Sequence, residues 1–589
     1  MAERPRISQD ASTLEASYDI VIIGSGYGGS IAAGRLGELN RDQGLNLRIA
    51  VLERGREWAL GEFPETPEAL AGAVRNSSTP NVQQPLGLFD LRTNGDVHTL
   101  TASGLGGSSL LDSGILTAPD VRTWEQEGWP EQIRKDMEYG SLERCIDTAK
   151  TMLGASWRPS EGKFLERVGQ MAKAAGLAGG KVERVEGRQH DFEYAINFGD
   201  VKTNDQGMPM GTCTQCGACA TGCNAGAKVT LAETYLALAR HGGVLVYTGA
   251  EVRTVDREDD GTFVLNVYQH NGSPVNWSER PAGVQVRARL VILAAGPIGS
   301  TELLLRSKDE YKATGRLKKS DQLTGPNEMA FPGRIGKAFG RNGNVLAICA
   351  AGSEGCDSVG LGAEQPGAGW IAGPTVGGAF EPGGMLQTLR DTRFYHDFAF
   401  PPGLAEPLQE VLPGRSGGLG SMFGLFKKGA KDRKSAINHA LPFLMTGHDE
   451  HDGVLGLDNQ KVLATRWQSR LQENVFKVGR DQAKVFAQNL GGQLVTSIEG
   501  APVELEKLTL QPLGGLVVGA NRRAGAVSCD GELFGGGPKG NETVRNFYVV
   551  GSELIPTSLG CAPALAVAGL CERIVEKLVK RLKNGEVTL

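Results

Sequence analysis

The stretch Tyr18–Leu36, YDIVIIGSGYGGSIAAGRL, constrains this chain more than any other. Ile20–Ile23 is a short apolar run, which reads as a strand buried on both faces of a parallel sheet. Gly24-x-Gly26-x-x-Gly29 follows and opens an alanine-rich helix. The first glycine allows a tight turn, the second lets backbone approach a pyrophosphate, and the third lets helix pack on strand. The helix N-terminus adds N–H donors and partial positive charge. A second predicted strand, Leu47–Leu52, ends in Glu53, with Arg54 and Gly55 behind it. An acid at that point suits the hydroxyl pair of a ribose and repels a 2′-phosphate. The pattern predicts a βαβ unit that binds a dinucleotide, with Gly24, Gly26, Gly29, Glu53 and Arg54 in the site.

At 589 residues the chain exceeds one typical core, so two domains, or one domain with a large insertion, are expected. A net charge of −5 argues against nucleic acid as a partner. The sequence has no apolar run of about 18 residues, so no transmembrane span is expected. Residues 1–16 are polar, lack a secretory apolar core and read as a tail, which points to the cytoplasm.

Four of the ten cysteines sit together in GTCTQCGACATGCNAGAK: Cys213, Cys216, Cys219 and Cys223. C-x2-C-x2-C-x3-C is the bacterial ferredoxin run, and the Gly and Ala between the thiols let the loop fold around a 4Fe–4S cluster. In two-cluster ferredoxins the fourth cysteine serves the other cluster and precedes Pro. Here Asn224 follows and the run is single, so either Cys223 or a remote cysteine completes the set. Zinc and disulfides are the alternatives, and disulfides fit least in a chain without an export signal.

A second glycine signature follows at Ser103-Gly104-Leu105-Gly106-Gly107-Ser108-Ser109-Leu110-Leu111-Asp112. Backbone this bare presses against something flat or phosphorylated, with Ser108 and Ser109 supplying hydroxyls. Apolar spacing predicts helices at Phe164–Ala178 and Thr230–Arg240, and a strand and turn at Gly243–Val252. Phe263–Trp277 alternates around Asn271-Gly272 and reads as a hairpin. Val291–Gly296 reads as a buried strand leading into a helix. The basic and apolar segment 412–435 reads as a solvated insertion, with a lid or a lipid- or partner-facing surface as the alternative. His448–Gly453, HDEHDG, reads as an acidic turn between strands before it reads as a metal site.

Taken together, YDIVIIGSGYGGSIAAGRL, VLERG, ASGLGGSSLLDSG, VILAAGPIGSTELLLRS and NFYVVGSELIPTSLGCAPALAVAGLCERI resemble, in order, a glucose–methanol–choline (GMC) flavoprotein oxidoreductase of the cholesterol-oxidase-like branch. The resemblance implies an α/β fold, α+β overall. It implies a Rossmann-like FAD-binding domain from residues 17–310 and 501–589, carrying the cysteine-rich loop 211–226. An antiparallel-sheet substrate domain, 311–500, would be inserted between them. It implies FAD, contacts from Gly104, Gly107, Ser108, Ser109, Asp112, Gly551, Ser552 and Pro563, and backbone at Val252 offered to the adenine. A hydrophobic small molecule is the implied substrate.

In similar alcohol oxidases a His of HPLGG and an Asn of GxNP face the flavin. Here Gln511 and Ala562 stand at those positions, Asp112 replaces an Asn, and Gly551-Ser552 replace Asp-Gly. An amide has no proton affinity near neutral pH and cannot serve as a general base. Standard alcohol oxidation is therefore not expected, and Gln511 and Asp112 are the candidate catalytic residues. Three readings remain. The first is a flavin dehydrogenase or reductase whose cluster passes electrons to or from a redox partner protein. The second is a GMC-fold lyase, isomerase or decarboxylase with no net redox change. The third is an electron-transfer module without its own substrate.

Overall fold

The computed structural model describes residues 4–65, 67–157, 193–216, 218–316, 329–350, 395–398, 441–467, 472–495, 505–535 and 542–589. A mostly parallel sheet forms the centre. Its strands are β1 (Gln9–Asp10), β2 (Ser17–Ile23), β3 (Ile49–Leu52), β4 (Leu245–Thr248), β5 (Ala250–Arg257), β6 (Phe263–Gln269), β7 (Val284–Leu293) and β8 (Thr543–Val549), with Glu532–Phe534 pairing antiparallel on the edge of β8. The parallel part runs β1-β4-β3-β2-β7-β8. Ile20–Ile23, Ile49–Leu52 and Leu290–Leu293 are all buried, as continuous apolar strands in the middle of a covered parallel sheet must be.

Helices α1 (Tyr27–Gln43), α2 (Gly296–Ala313) and α3 (Ala564–Lys583) cover this sheet. A Cβ on Gly28 would lie 1.8 Å from the Val550 carbonyl oxygen, and one on Gly29 would lie 2.0 Å from that of Gly24. The glycines are thus what lets α1 sit directly on the strand ends.

The expected antiparallel sheet is present as Tyr395–Phe398, Leu441–Thr446, Val345–Ala350 and Gln493–Val495, in that spatial order. It shares a core with a second small sheet, where Leu346 and Leu444 pack with Phe89, Leu100 and Leu508.

Two expectations need correction. The N-terminal segment is not a loose tail from Arg4 onward. Arg4 pairs with Glu233, Glu57 accepts the N–H groups of Ile7 and Ser8, and β1 adds a parallel strand beside β4. Nor is Phe263–Trp277 a hairpin. Both edges of β6 are taken, by β5 and by the first half of β7, so Val275–Asn276 turns away and pairs with Asn81–Val82. The expected helix 164–178 and the segment 412–435 lie outside the described residues. Among the described residues no helix is long and apolar enough to cross a membrane.

Candidate active site and cysteine loop

A cavity of about 300 Å³ opens across the C-terminal ends of β2, β3 and β7, lined there by Ile23, Leu52 and Ala294. This is where open α/β sheets bind ligands. Helices α1, α2 and α3 all begin on it, at Gly26, Gly296 and Ala564. None of their N-caps makes a side-chain hydrogen bond, and none of their first turns carries an acid. Three positive helix ends therefore face one space, which suits an anion such as a diphosphate. Space above Gly26 is open, since a Cβ built there would meet no atom within 4 Å.

At the other end, Glu53 is held rigidly. The Ser25 backbone N–H and hydroxyl donate to its Oε2 at 3.1 and 2.6 Å, and the Gly55 N–H donates to Oε1 at 2.8 Å. A carboxylate so fixed keeps acceptor capacity for a ribose hydroxyl. Behind it, Arg54 pairs with Asp90, Arg75 with Glu251 and Arg92 with Glu302. Burial pushes the Glu251 carboxyl up, but Arg75 and Arg253 hold it well below the usual carboxylate range. These features fit a dinucleotide: a cationic helix-end cluster for the diphosphate and an oriented acid for the ribose.

Of the sequence-predicted residues, Gly24, Gly26, Glu53, Arg54, Gly107, Ser108, Asp112, Val252, Gly551, Ser552 and Pro563 line the cavity, together with Gln511 and Ala562. Gly29, Gly104 and Ser109 are not in its lining and act in packing. A Cβ on Gly55 would lie 2.3 Å from the Gly104 nitrogen, so the two loops meet backbone to backbone. The Ser109 hydroxyl donates to the Gly106 carbonyl at 2.7 Å and accepts the Leu231 N–H at 3.1 Å. Asp112 accepts the Tyr27 hydroxyl at 2.6 Å and the Gly114 N–H at 3.0 Å, and lies 3.6 Å from the Lys228 ammonium. Burial and the Asp112 charge push the Tyr27 phenol well above its ordinary range, so it stays a donor.

Glu553 also lines the cavity and is fully buried. Its Oε1 accepts the Ser300 hydroxyl at 2.7 Å, while Oε2 has no partner. Burial pushes the carboxyl up to about 7. The group is neutral in both folded and unfolded chains below about pH 4.5 and then costs nothing. Between pH 4.5 and 7 the unfolded chain releases the proton first, so stability falls as pH rises. Above pH 7 the cost levels at about 3 kcal/mol. Glu553→Gln is expected to remove that slope, gaining thermal stability over the parent at pH 8 and little at pH 4.5. Melting curves at the two pH values check this; equal pH dependence in both proteins would contradict it.

Gln511 is held by two asparagines that sequence reading missed. Its Oε1 accepts from Asn342 Nδ2 at 3.0 Å and from Asn344 Nδ2 at 3.1 Å. Both asparagines are fully buried. Arg341-Asn342-Gly343-Asn344 carried a turn signal only, and Asn342 indeed has φ +54°.

Cys213, Cys216, Cys219 and Cys223 ring a second, much smaller void. Among the described residues every cysteine is a free thiol. The Gln215 N–H points at Cys213 Sγ, 3.4 Å away. Burial pushes the Cys213 thiol up to about 11 and the Cys219 thiol well above its ordinary range, and the neighbouring sulfurs add to both shifts. Four thiols gathered in one loop suit a polycationic centre, which would hold them as thiolates when bound. Among the described residues no three metal-type ligands could hold a single ion. A cubane, in which each thiolate binds its own iron, does not require such convergence.

This loop is a wall of the large cavity. Cys219 packs with Ala562 and Ile115, both of which line the cavity, and Ala220 lines it directly. Lys228, 1 % exposed, ties the two together: its ammonium donates to the carbonyls of Cys219 at 3.0 Å, Leu110 at 2.9 Å and Asp112. Nothing in the local sequence around Lys228 marks it for burial.

Residues 18–309 match the family described as GMC oxidoreductase. A cholesterol oxidase of Acinetobacter baumannii is 30% identical over 306 residues, covering 49% of this chain and 50% of that one. A cholesterol oxidase of Mycobacterium tuberculosis is 28% identical over 332 residues, covering 54% and 53%. The chain thus spans about half the length of the curated relatives it matches. Among solved structures, pyridoxine 4-oxidase from Mesorbium loti superposes with a TM-score of 0.52 at 15% identity, covering 95% of this chain and 99% of that one. A fungal aryl-alcohol oxidase gives 0.55 at 12%, covering 97% and 100%. At those identities the likeness speaks for the fold. Residues 18–309, with their cholesterol oxidase homologues, identify this chain as carrying the N-terminal domain of the GMC oxidoreductase family.

Proposed function

We propose that the large cavity holds FAD and that the chain is an FAD-dependent dehydrogenase or reductase acting on a hydrophobic small molecule. In this reading Cys213, Cys216, Cys219 and Cys223 hold a 4Fe–4S cluster that exchanges single electrons with a redox partner protein, in a reducing compartment such as the cytoplasm. When bound, FAD supplies two-electron hydride chemistry and one-electron transfer from the same ring. The amides at Gly26, Gly296 and Ala564 bind the diphosphate, Glu53 the ribose and the Val252 backbone the adenine. Asp112 is a structural acid, neutralised by Lys228 and hydrogen-bonded by Tyr27. Gln511 binds substrate and exchanges no proton.

The observation that carries the proposal is that Cys219 and Ala562 belong to one buried cluster with Ile115, Tyr194 and Ile196, beside the cavity that Ala562 lines. Where similar enzymes place a polar catalytic Asn, this chain places a methyl group between the cysteine loop and the cavity. A reaction without net electron transfer gives that loop no role.

Reoxidation kinetics test it. Protein reduced anaerobically with dithionite and mixed with ferricenium is expected to regain its yellow colour faster than protein mixed with oxygenated buffer. Oxygen restoring the colour as fast as ferricenium would make the chain an oxidase and overturn the relay.

A further inference from the structure

The orientation of the Gln511 side-chain amide is set by backbone. Asn342 Oδ1 accepts the Leu559 N–H at 2.9 Å, and its Nδ2 donates to the Cys561 carbonyl at 2.8 Å. Asn344 Oδ1 accepts the N–H groups of Leu510 at 3.1 Å and Gln511 at 3.2 Å. A backbone N–H can only donate and a backbone carbonyl can only accept, so each asparagine has one permitted orientation. Both then offer Nδ2 to Gln511, and the atom that meets them must be the oxygen, Oε1. Neither asparagine lines the cavity, whereas Gln511 does. Oε1 is therefore turned into the protein, which leaves the –NH2 group as the polar end for the cavity.

The surroundings make that donor selective. Among the residues that line the cavity with Gln511, Leu111, Ile115, Leu444, Ala562 and Pro563 are apolar. Asp112, which also lines the cavity, accepts from Tyr27 and Gly114 and lies 3.6 Å from Lys228, and the acceptors that it and Glu553 offer are separate from Gln511. A carbonyl oxygen only accepts and is satisfied by an N–H donor. An alcohol brings a hydrogen of its own, for which Gln511 offers no acceptor, and an unpaired buried hydroxyl is costly.

We propose that Gln511 is an oriented hydrogen-bond donor for a carbonyl oxygen, and that the chain takes hydrophobic ketones or enones in preference to the corresponding alcohols. Asn342 and Asn344 are its positioning residues. This rests on the reading of the cavity as the flavin and substrate site.

A matched pair of probes tests it: a bicyclic enone, Δ1,9-2-octalone, and its allylic alcohol. Each is titrated into oxidised holoenzyme, with binding read from the flavin absorption spectrum and from calorimetry. The parent protein is expected to bind the enone at least about tenfold more tightly than the alcohol. Gln511→Glu, which presents an acceptor in nearly the same shape, is expected to invert that order. Gln511→Met is expected to abolish the preference, and with it the downshift of the enone carbonyl stretch in infrared spectra of the complex. Equal binding of alcohol and enone by the parent protein, no binding of the enone, or a preference that survives Gln511→Glu would each overturn the assignment. Protein purified without flavin would instead count against the proposed function, and calorimetry on that protein still decides the donor question.

Discussion

Gly26→Ala is expected to give a folded protein that binds its flavin about 5–150-fold more weakly and loses part of it on gel filtration. Gly26 has φ −69°, which alanine adopts freely, and a Cβ there meets no protein atom within 4 Å. The methyl would occupy only the space that the diphosphate needs above the start of α1. Intruding on a close contact of that kind costs about 1–3 kcal/mol, and that much weakens binding by about 5–150-fold. Gly28→Ala makes the contrast. Its Cβ would lie 1.8 Å from the Val550 carbonyl oxygen, so α1 must lift from the end of β8. That variant is expected to lose thermal stability as well as flavin. Flavin content after gel filtration, set beside melting curves of the two apoproteins, separates the cases. Gly26→Ala retaining a full complement of flavin would show that the cofactor does not pass over this turn.

Cys219→Ala is expected to uncouple the flavin from one-electron acceptors while leaving the flavin in place. Cys219 is the buried member of the cysteine set and the one that packs on Ala562. Removing it is expected to lower bound iron from about four per chain to about three or fewer. Flavin content is expected to hold, because the diphosphate and ribose contacts lie on other elements. Reoxidation of the reduced protein by ferricenium is then expected to slow toward the rate with oxygen. Cys145→Ala is the control: Cys145 is buried beside Glu576 on a distant helix, and its loss is expected to leave iron unchanged. Unchanged iron and unchanged reoxidation in Cys219→Ala would remove the cluster from the account.

The dinucleotide half of the fold was legible because its signals are local. A continuous apolar strand, three glycines at fixed spacing and an acid at the next strand end each act within a few residues of where they stand. The four cysteines of the run are likewise gathered by local spacing around one small void. What escaped reading is long-range. Gln511 is oriented by Asn342 and Asn344, which lie 169 and 167 positions away in the chain. Lys228 is buried because the carbonyls of Leu110 and Cys219, from two different loops, converge on it. The Asn271-Gly272 turn formed, with Gly272 at φ +87°, but a turn signal cannot say whether the neighbouring strand has a free edge. His448–Gly453 does connect two strands, yet it is not a solvated turn. Asp449 accepts the N–H groups of Arg341 and Gly343, and His451 packs where a Cβ on Gly340 would lie 2.1 Å from its Nε2. Burial there depends on a glycine more than a hundred residues earlier.

The central claim is that one chain holds both a flavin and an iron–sulfur cluster on opposite sides of the Ala562 wall. Anaerobic purification followed by flavin and iron quantification, with an EPR spectrum before and after dithionite, tests it most directly. The account predicts about one FAD and about four irons per chain, and an EPR signal that appears on reduction. Protein with a full complement of flavin, fewer than about three irons and no reducible EPR signal would contradict it.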